Sequence, residues 1–479
     1  MRRVPASPRT IAGAVRLRRD ACTAALAIAV AVAAPGTARA AGSCTGQISA
    51  TPKPGPALRF GITPGVQTGQ LGTGPVPPRT PEEPSHQLAA LALLRPANGP
   101  FVLRLHRFFW SEGEAGVQRF LALAKRYTAN GYLVELQLRY HPSAQQEGDI
   151  PGWVRHVRDV VDRFGPNPRV VGIQVTNEVN LAISKDSSDG GYAGAKDALI
   201  SGVEAAKGEA RRRGFNQLEI GFNWAYRSDP GSEDSFWNYL RDHGGPAFVR
   251  SLDWVGVDAY PGTFFPPVVS PGGETGALVN AFSSFRCYAA TPGIPATVPI
   301  HVEENGWPTG PGRGYDRQLE ALDTMVHAVN DYRGTFNISD YRWFDLRDSD
   351  TTSPNFQQQY GLMTDEYQPK PAFDRYRTLV AALTVRNPAR RPARRLVLRV
   401  RCRGYEWRAR VTGPDVGQVA RVDFRVGDRH ARPDYRRPFV RSISARRLHS
   451  GRRRWTLQAR ATFVEGGTAV LKRAVRRCL

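Results

Sequence analysis

The stretch Val-Val-Gly-Ile-Gln-Val-Thr-Asn-Glu, from Val170 to Glu178, is a run of apolar and β-branched residues that ends on an acid. A second run, Pro-Ile-His-Val-Glu-Glu-Asn-Gly-Trp-Pro, extends from Pro299 to Pro308 and carries Glu304. Each run has the length and composition of a buried parallel strand. Side chains at the carboxyl ends of such strands project into one shared crevice in α/β barrels. The two stretches therefore predict a barrel whose site contains both acids.

The rest of the sequence extends this pattern. Eight strand-like runs and several segments with helical spacing lie between Leu58 and Leu383. The predicted strands are Leu58–Thr63, Phe101–Phe108, Leu133–Tyr140, Val170–Thr176, Leu218–Trp224, Leu252–Tyr260, Val298–Glu304 and Ile338–Phe344, and the helical segments include Ala115–Asn130, Trp153–Phe164, Tyr192–Arg213 and Tyr315–Tyr332. Strand–helix alternation repeated eight times predicts an α/β fold, a (β/α)8 TIM barrel, rather than an open doubly wound sheet.

The pattern changes near the C-terminus. Residues 386–394 are rich in proline and arginine, which is typical of a linker. Residues 395–479 contain six short runs of alternating polarity, separated by turn residues such as Gly413-Pro414. Several strands without helices predict a small all-β, immunoglobulin-like sandwich.

The N-terminal 40 residues have the features of a targeting segment. Several arginines precede a short apolar run, Ala21–Ala34, and Ala38-Arg39-Ala40 fits a cleavage site for a signal peptidase. Residues 1–40 are therefore predicted to be a signal peptide, and the protein is predicted to be secreted. An alternative is a lipoprotein anchored through Cys44. No later stretch approaches the about 20 apolar residues of a membrane span, so no transmembrane segment is expected.

Removal of a signal peptide would leave four cysteines, Cys44, Cys287, Cys402 and Cys478. An even number in an exported chain favours disulfides, with three possible connectivities. Cys402 and Cys478 bracket the C-terminal region and are predicted to pair, which leaves Cys44 with Cys287 by subtraction. No spacing of histidine and cysteine indicates zinc, and no metal site is predicted.

The net charge of +23 is concentrated at the C-terminal end. Residues 386–479 contain 27 lysines and arginines against six acidic residues, whereas residues 41–385 are near neutral. The basic C-terminal domain is predicted to contact an anionic cell-wall polymer, unless the arginines reflect composition alone. Trp407 and Trp455 are alternative sugar-binding residues of this domain. No recognised nucleic-acid-binding module is present, so specific binding of nucleic acid is not expected.

Around the two acids, the sequence resembles glycoside hydrolase clan A, the retaining (β/α)8-barrel glycosidases that include the cellulase and mannanase family. Asn177-Glu178 matches the Asn-Glu pair with which the clan ends strand four and supplies its acid/base. Glu304, followed by Asn-Gly-Trp, matches the nucleophile that ends strand seven. The resemblance covers about residues 57–383, and residues 41–385 are accordingly expected to form the catalytic domain.

The resemblance also implies a set of substrate-binding residues near strand ends. They are Asn177, Tyr260, Trp343, His141, Arg104 (or Arg107) and Trp224 (or Tyr226). In this interpretation, Asn177 donates to the sugar 2-hydroxyl, Trp343 stacks on the sugar ring, and Tyr260 and the arginine hold the nucleophile ionised.

The implied activity is that of a secreted retaining glycoside hydrolase acting on a polysaccharide or oligosaccharide. Glu178 would be the acid/base and Glu304 the nucleophile, with carboxyl groups about 5–5.5 Å apart and no metal or organic cofactor. A non-catalytic carbohydrate- or wall-binding barrel and a transglycosylase are the alternatives. The individual residues also have structural alternatives. Glu303 would replace Glu304 if the strand register shifted by one, Asn177-Glu178 could cap a helix, and Trp343, Tyr260 and His141 could serve packing alone.

Overall fold

The computed structural model describes Cys44 and residues 50–66, 77–97, 99–227, 229–384, 395–427, 429–430, 433–434, 438–444, 454–463, 468–476 and 478. The predicted signal peptide, residues 1–40, and the predicted linker, residues 386–394, lie outside these ranges.

Eight parallel strands close into a barrel. The strands are β1 (Arg59–Ile62), β2 (Phe101–Phe109), β3 (Leu133–Arg139), β4 (Val170–Val175), β5 (Glu219–Ala225), β6 (Trp254–Asp258), β7 (Ile300–Asn305) and β8 (Ile338–Trp343). Each strand pairs with the next along the chain, and β8 pairs with β1. The predicted (β/α)8 barrel is confirmed.

Helices surround this barrel. They are α1 (Pro84–Leu94), α2 (Gly113–Ala129), α3 (Ile150–Phe164), α4 (Ala195–Arg213), α5 (Pro230–Ser251), α6 (Glu274–Ala289), α7 (Tyr315–Phe336) and α8 (Pro371–Leu383). Helix α3 illustrates how the sequence specifies them. The Asp149 side chain accepts a hydrogen bond from the Gly152 amide at the N-terminus, and Pro151 occupies the first turn. Its apolar residues recur at helical spacing and are buried.

The interior of the barrel contains charged side chains where bulky apolar residues are usual. Arg342 on β8 forms ion pairs with Asp340 at 2.7 Å and with Glu135 of β3 at 3.2 Å. Arg104 on β2 lies 3.2 Å from Glu303 of β7. All five side chains are almost completely buried. This ion-paired layer forms the floor beneath the carboxyl ends of the strands.

The C-terminal region forms two small antiparallel sheets, consistent with the predicted sandwich. Its strands are β9 (Val397–Arg403), β10 (Glu406–Thr412), β11 (Val419–Val426), β12 (Arg429–His430), β13 (Val440–Ser444), β14 (Arg454–Phe463) and β15 (Thr468–Arg476). One sheet has the order β13-β10-β9 and the other β12-β11-β14-β15. Trp407 is buried between them and donates its indole N–H to the Arg476 carbonyl at 2.8 Å. The alternative that Trp407 is an exposed sugar-binding residue is therefore wrong.

Both predicted disulfides are formed. Cys402 is bonded to Cys478, and Cys44 to Cys287 on α6. Two disulfides are compatible with an oxidising, extracellular environment. None of the described helices has the length and apolar character needed to cross a bilayer.

Two arginines of the C-terminal sheets reach the barrel helix α7. Arg421 lies 3.0 Å from the buried carboxylate of Asp323, and Arg460 lies 3.0 Å from Asp331. Because Asp323 is completely buried, loss of Arg421 would weaken the charge balance around it.

Candidate active site

A cavity of about 260 Å³ opens at the carboxyl ends of the strands. Its lining includes Glu178 and Glu304, the two acids predicted from strand ends, together with Asn177 and Tyr260. The barrel therefore brings together four of the residues that the sequence singled out.

The backbone after β4 presents Glu178 to this cavity through an unusual conformation. Thr176 and Glu178 have positive φ angles of 65° and 46°, which cost on the order of 1–3 kcal/mol each for residues other than glycine. The Glu178 amide donates to Asn223 Oδ1 at 2.9 Å, and the Asn177 amide donates to Asp189 Oδ2 at 2.9 Å. These bonds offset the strain and fix the turn. The turn is therefore not a helix cap, since Gly194 caps the next helix, α4.

The side chain of Asp189 also holds this loop in place. Its Oδ1 accepts two hydrogen bonds from the Arg139 guanidinium, at 2.9 and 2.8 Å, and its Oδ2 also accepts from the Tyr140 amide at 3.0 Å. Sequence reasoning missed this residue, because an acid in a polar loop carries no signal of its own.

The carboxylate of Glu304 is surrounded by donors. Its Oε1 accepts from Arg104 at 2.9 Å, and its Oε2 accepts from the Tyr260 hydroxyl at 2.7 Å. Burial and the charge of Glu304 raise the pKa of Tyr260 well above its ordinary value, so the phenol keeps the proton that it donates. Each carboxyl oxygen of Glu304 therefore accepts a hydrogen bond from one of these two donors.

The surroundings of Glu178 favour the protonated form of its carboxyl group. Burial and the nearby negative charge of Glu304 raise the pKa of Glu178 to about 8. At neutral pH this carboxyl therefore carries a proton, whereas Glu304 is held as an acceptor of two donors. A protonated carboxyl beside a second carboxyl that accepts two hydrogen bonds is an arrangement suited to general acid catalysis next to a nucleophile.

Asp258, the last residue of β6, is a third carboxyl group in the cavity. One oxygen from each of Glu178, Asp258 and Glu304 lies within 4.8 Å of the others. Burial, and then the charges of Glu304 and Glu178, raise the pKa of Asp258 well above its ordinary value. The Asn223 amide nitrogen donates to Asp258 and, at 2.8 Å, to Asn177 Oδ1. An acid that closes an apolar run was the signal that could have identified Asp258.

Among the residues that the structure describes, two clusters of side chains have the donor set of a metal site. They are Glu178, Asp258 and Glu304 in the cavity, and Glu135, His301 and Glu303 in the barrel floor. Arg104 lies between them, 2.9 Å from Glu304 and 3.2 Å from Glu303. Its guanidinium thus supplies to both clusters the positive charge that a metal ion would otherwise provide.

The structure also separates the two neighbouring acids of β7. The side chain of Glu303 is buried in the barrel floor, 3.2 Å from His301 Nδ1, whereas Glu304 lines the cavity. The alternative register, with Glu303 facing the cavity, does not occur.

Trp343 does not reach the cavity, which corrects the expectation that it stacks on a sugar ring. Residues of a strand alternate between its two faces, and on β8 Asp340 and Arg342 face the barrel interior. Trp343 therefore faces the helices, where its ring lies 6.4 Å from that of Tyr376 on α8. The next residue, Phe344, lines the cavity instead and contacts Tyr260 edge-on at 6.3 Å.

Trp224 is also outside the cavity. It is fully buried behind β5, where its ring lies 6.1 Å from Trp237 and its indole N–H donates to Glu233 at 2.5 Å. Its strand neighbour Asn223 takes the interior face. Tyr226, the alternative named from the sequence, lines the cavity.

Two other predicted residues lie at the edges of the site. His141 stacks on Phe109 at 4.1 Å and contacts Ser111 Oγ through Nδ1, beside the cavity rather than in its lining. Arg104 is completely buried below the cavity, so it contacts Glu304 from beneath. Arg107, the alternative on the same strand, does line the cavity.

Fold and site together define a (β/α)8-barrel protein with three carboxyl groups in one cavity at the carboxyl ends of its strands. No protein-family model matches the sequence, and no curated protein matches it significantly.

The chain is similar to several solved structures of glycoside hydrolases. A family 39 glycoside hydrolase from Bacteroides cellulosilyticus WH2 is 14% identical, with 81% of this chain and 79% of that chain covered and a TM-score of 0.47. A family 17 β-1,3-glucanosyltransferase from Rhizomucor miehei is 15% identical, with 66% and 96% covered and a TM-score of 0.42. A calcium-binding mutant of Bacteroides uniformis β-glucuronidase 2 is 11% identical, with 88% and 46% covered and a TM-score of 0.44. The chain thus spans less than half of that last protein. The (β/α)8 barrel that the resemblance implies is confirmed by the strand order of the structure itself.

Proposed function

We propose that the chain is a secreted retaining glycoside hydrolase that cleaves O-glycosidic bonds of a polysaccharide or oligosaccharide. The observation that carries this proposal is the difference between the surroundings of two neighbouring acids, Glu178 and Glu304. Glu178, with its pKa near 8, has an oxygen within 4.8 Å of an oxygen of Glu304, which accepts hydrogen bonds from Arg104 and Tyr260. Retaining glycosidases hold their two carboxyl groups about 5–5.5 Å apart, whereas inverting enzymes need about 6.5–9.5 Å. The short separation supports retention.

The reaction would proceed by double displacement. A carboxylate oxygen of Glu304 attacks the anomeric carbon while Glu178 donates its proton to the departing glycosidic oxygen, and the carbon–oxygen bond breaks. The product is a glycosyl ester on Glu304. Glu178, now a carboxylate, then removes a proton from water, whose oxygen attacks the anomeric carbon and releases Glu304. Neither step requires a metal or an organic cofactor.

Product analysis tests the proposal directly. The protein should cleave at least one of a panel of glucan, mannan, xylan and galactan oligosaccharides, and proton NMR at early times should show the anomeric configuration of the substrate retained in the first product. Inversion would contradict Glu304 as nucleophile. Longer oligosaccharides as main products would favour a transglycosylase, and binding without cleavage would favour a non-catalytic barrel.

We also propose that the outer face of the sheet formed by β9, β10 and β13 binds an anionic polysaccharide such as a cell-wall polymer. Arg401 lies directly opposite Arg408, and Arg399 directly opposite Arg410, so like charges face one another across the strand pair. Such pairs destabilise a sheet unless an anion lies between them. All four arginines are exposed, and none forms an ion pair with another residue in the described part of the chain. The two arginine pairs lie next to each other on one face of the sheet, which suits a flat polyanion with regularly repeated charges.

Retention on immobilised polygalacturonate tests this surface with the full chain, which keeps Arg421 on Asp323. Replacing Arg399, Arg401, Arg408 and Arg410 by glutamine should lower the salt concentration at which the protein elutes, since each contact is electrostatic. The matched control replaces four exposed cations of the other sheet, Arg454, Lys472, Arg473 and Arg476, with the same loss of charge. Equal effects of the two variants would show that net charge alone acts. Stronger retention on single-stranded DNA than on polygalacturonate would indicate that the ligand of this surface is nucleic acid and not a polysaccharide.

A further inference from the structure

A cation on β2 lines the cavity beside the acids. Leu105 of β2 pairs with Leu136 of β3, and Phe108 pairs with Leu138. Between these two pairs β2 therefore contains one residue more than β3, which is a β-bulge. Bulges commonly redirect side chains at the rims of barrels. The bulge contains His106 and Arg107, and both line the cavity. Arg107 also has a positive φ angle of 65°, a strained conformation for a residue with a side chain.

The contacts of Arg107 differ from those of the two other arginines nearby. Arg104 donates to Gln174 and Glu304, and Arg139 donates to Asp189 and to the Asp186 carbonyl. Within the described residues, the Arg107 guanidinium forms no ion pair or hydrogen bond, and its contact is the ring of Phe109 at 4.9 Å. Its fork of N–H donors is thus left for a ligand.

The charge of Arg107 persists at neutral pH. Burial and the neighbouring charge of Arg139 lower the pKa of Arg107 to about 10, which still leaves it protonated at pH 7. The attraction of Asp186 acts in the opposite direction but is not a contact. Burial lowers the pKa of His106 well below its ordinary value, so this ring is neutral. The guanidinium groups of Arg107 and Arg139 both lie over the Phe109 ring, at 4.9 and 5.3 Å from its centroid. Asp189 pairs with Arg139 at 2.8 Å, so Arg107 is the cation of the two that is left to an anionic ligand.

We propose that the cavity recognises a sugar unit that carries a carboxylate, such as a uronic-acid residue, through the guanidinium of Arg107. This inference rests on the proposed function, because it names the substrate class of the same site. Arginine pairs with carboxylates through two parallel N–H···O bonds, a geometry that a neutral hydroxymethyl group cannot reproduce. The contact with the Phe109 ring, 4.9 Å from Cζ to the ring centroid, restricts the guanidinium and so lowers the cost of ordering it on binding.

Matched aryl glycosides measure the preference. We expect kcat/KM for 4-nitrophenyl glucuronide or galacturonide to exceed that for the corresponding glucoside or galactoside by about 10- to 100-fold, the range of one hydrogen bond to a charged group. Arg107→Gln should remove this preference, mainly through KM. Arg155→Gln, an exposed arginine on α3 that loses the same charge, should keep it. An equal or greater rate on the neutral glycosides, or an unchanged preference in Arg107→Gln, would overturn the inference.

Binding separates this inference from the proposed hydrolysis. In the Glu178→Gln background, calorimetry should show tighter binding of a galacturonic-acid oligosaccharide than of its neutral galactose counterpart, and adding Arg107→Gln should abolish the difference. Retaining hydrolysis of neutral sugars without any preference for uronic acids would leave the proposed function standing and reject the inference. Binding of uronic acids that depends on Arg107, with no hydrolysis of any glycoside, would support the inference and reject the proposed function. Neither binding nor hydrolysis would reject both.

Discussion

Replacing Glu304 by alanine should lower turnover of any substrate by on the order of 10⁴-fold or more, because the glycosyl–enzyme ester can no longer form. The protein should remain folded, since Arg104 retains its contacts with Gln174 and Glu303. Steady-state kinetics and thermal unfolding measure the two effects. Azide added to this variant should occupy the vacated space and attack with inversion, so that a β-glycoside yields an α-glycosyl azide.

The neighbouring acid provides the control. Glu303→Gln removes a charge from the barrel floor, where Glu303 contacts Arg104 and His301. Breaking such a buried ion pair should lower the free energy of unfolding by about 3 kcal/mol while turnover remains measurable. Loss of turnover in Glu303→Gln together with ordinary rates in Glu304→Ala would exchange the roles of the two residues.

Glu178→Ala should lose about 10²- to 10⁴-fold in rate on natural glycosides, the usual contribution of a general acid. An activated aryl glycoside needs little protonation of its leaving group, so it should still form the glycosyl–enzyme. Azide should then restore turnover and yield a glycosyl azide of retained configuration, because azide needs no base to activate it. Failure of azide to accelerate this variant would remove Glu178 from the acid/base role.

The pH profile gives a second readout for Glu178. The donor must be protonated, and its pKa is raised to about 8, so kcat/KM of the wild type should fall as the pH rises through about 8. In Glu178→Ala, the activated aryl glycoside should show no such alkaline decline. A decline that persists in the variant would assign it to another group of the cavity, such as Asp258, which has an oxygen within 4.8 Å of an oxygen of Glu178.

The strand pattern predicted the barrel, and the acids at two strand ends predicted the centre of the site. Both predictions depend on local features: a parallel strand buried on two faces must be apolar along its length, so an acid at its carboxyl end stands out. Glu178 and Glu304 were found in this way, whereas Asn177 and Tyr260 were implied by the resemblance to clan A.

The aromatic residues that line the cavity were predicted less well than its acids. Trp343 and Trp224 were named, but each faces away from the cavity, and Phe344 and Tyr226 line it instead. A shift of a single residue exchanges the two faces of a strand, and composition does not determine which face is inward. The long side chain of tryptophan fits the layer between strands and helices as readily as a sugar site.

The sequence by itself thus determined the barrel, the C-terminal sheets and the two acids at strand ends, because these follow from periodicity and composition within short segments. The cysteine pairs were predicted from the even number of cysteines and from the way that two of them bracket the C-terminal region. Only the tertiary structure decided that Asp258 joins those acids, that Asp189 fixes their loop through Arg139, and that a bulge turns Arg107 into the cavity. Those features depend on distances between residues that are remote in the chain and on the register between neighbouring strands. Neither quantity is encoded in any one segment.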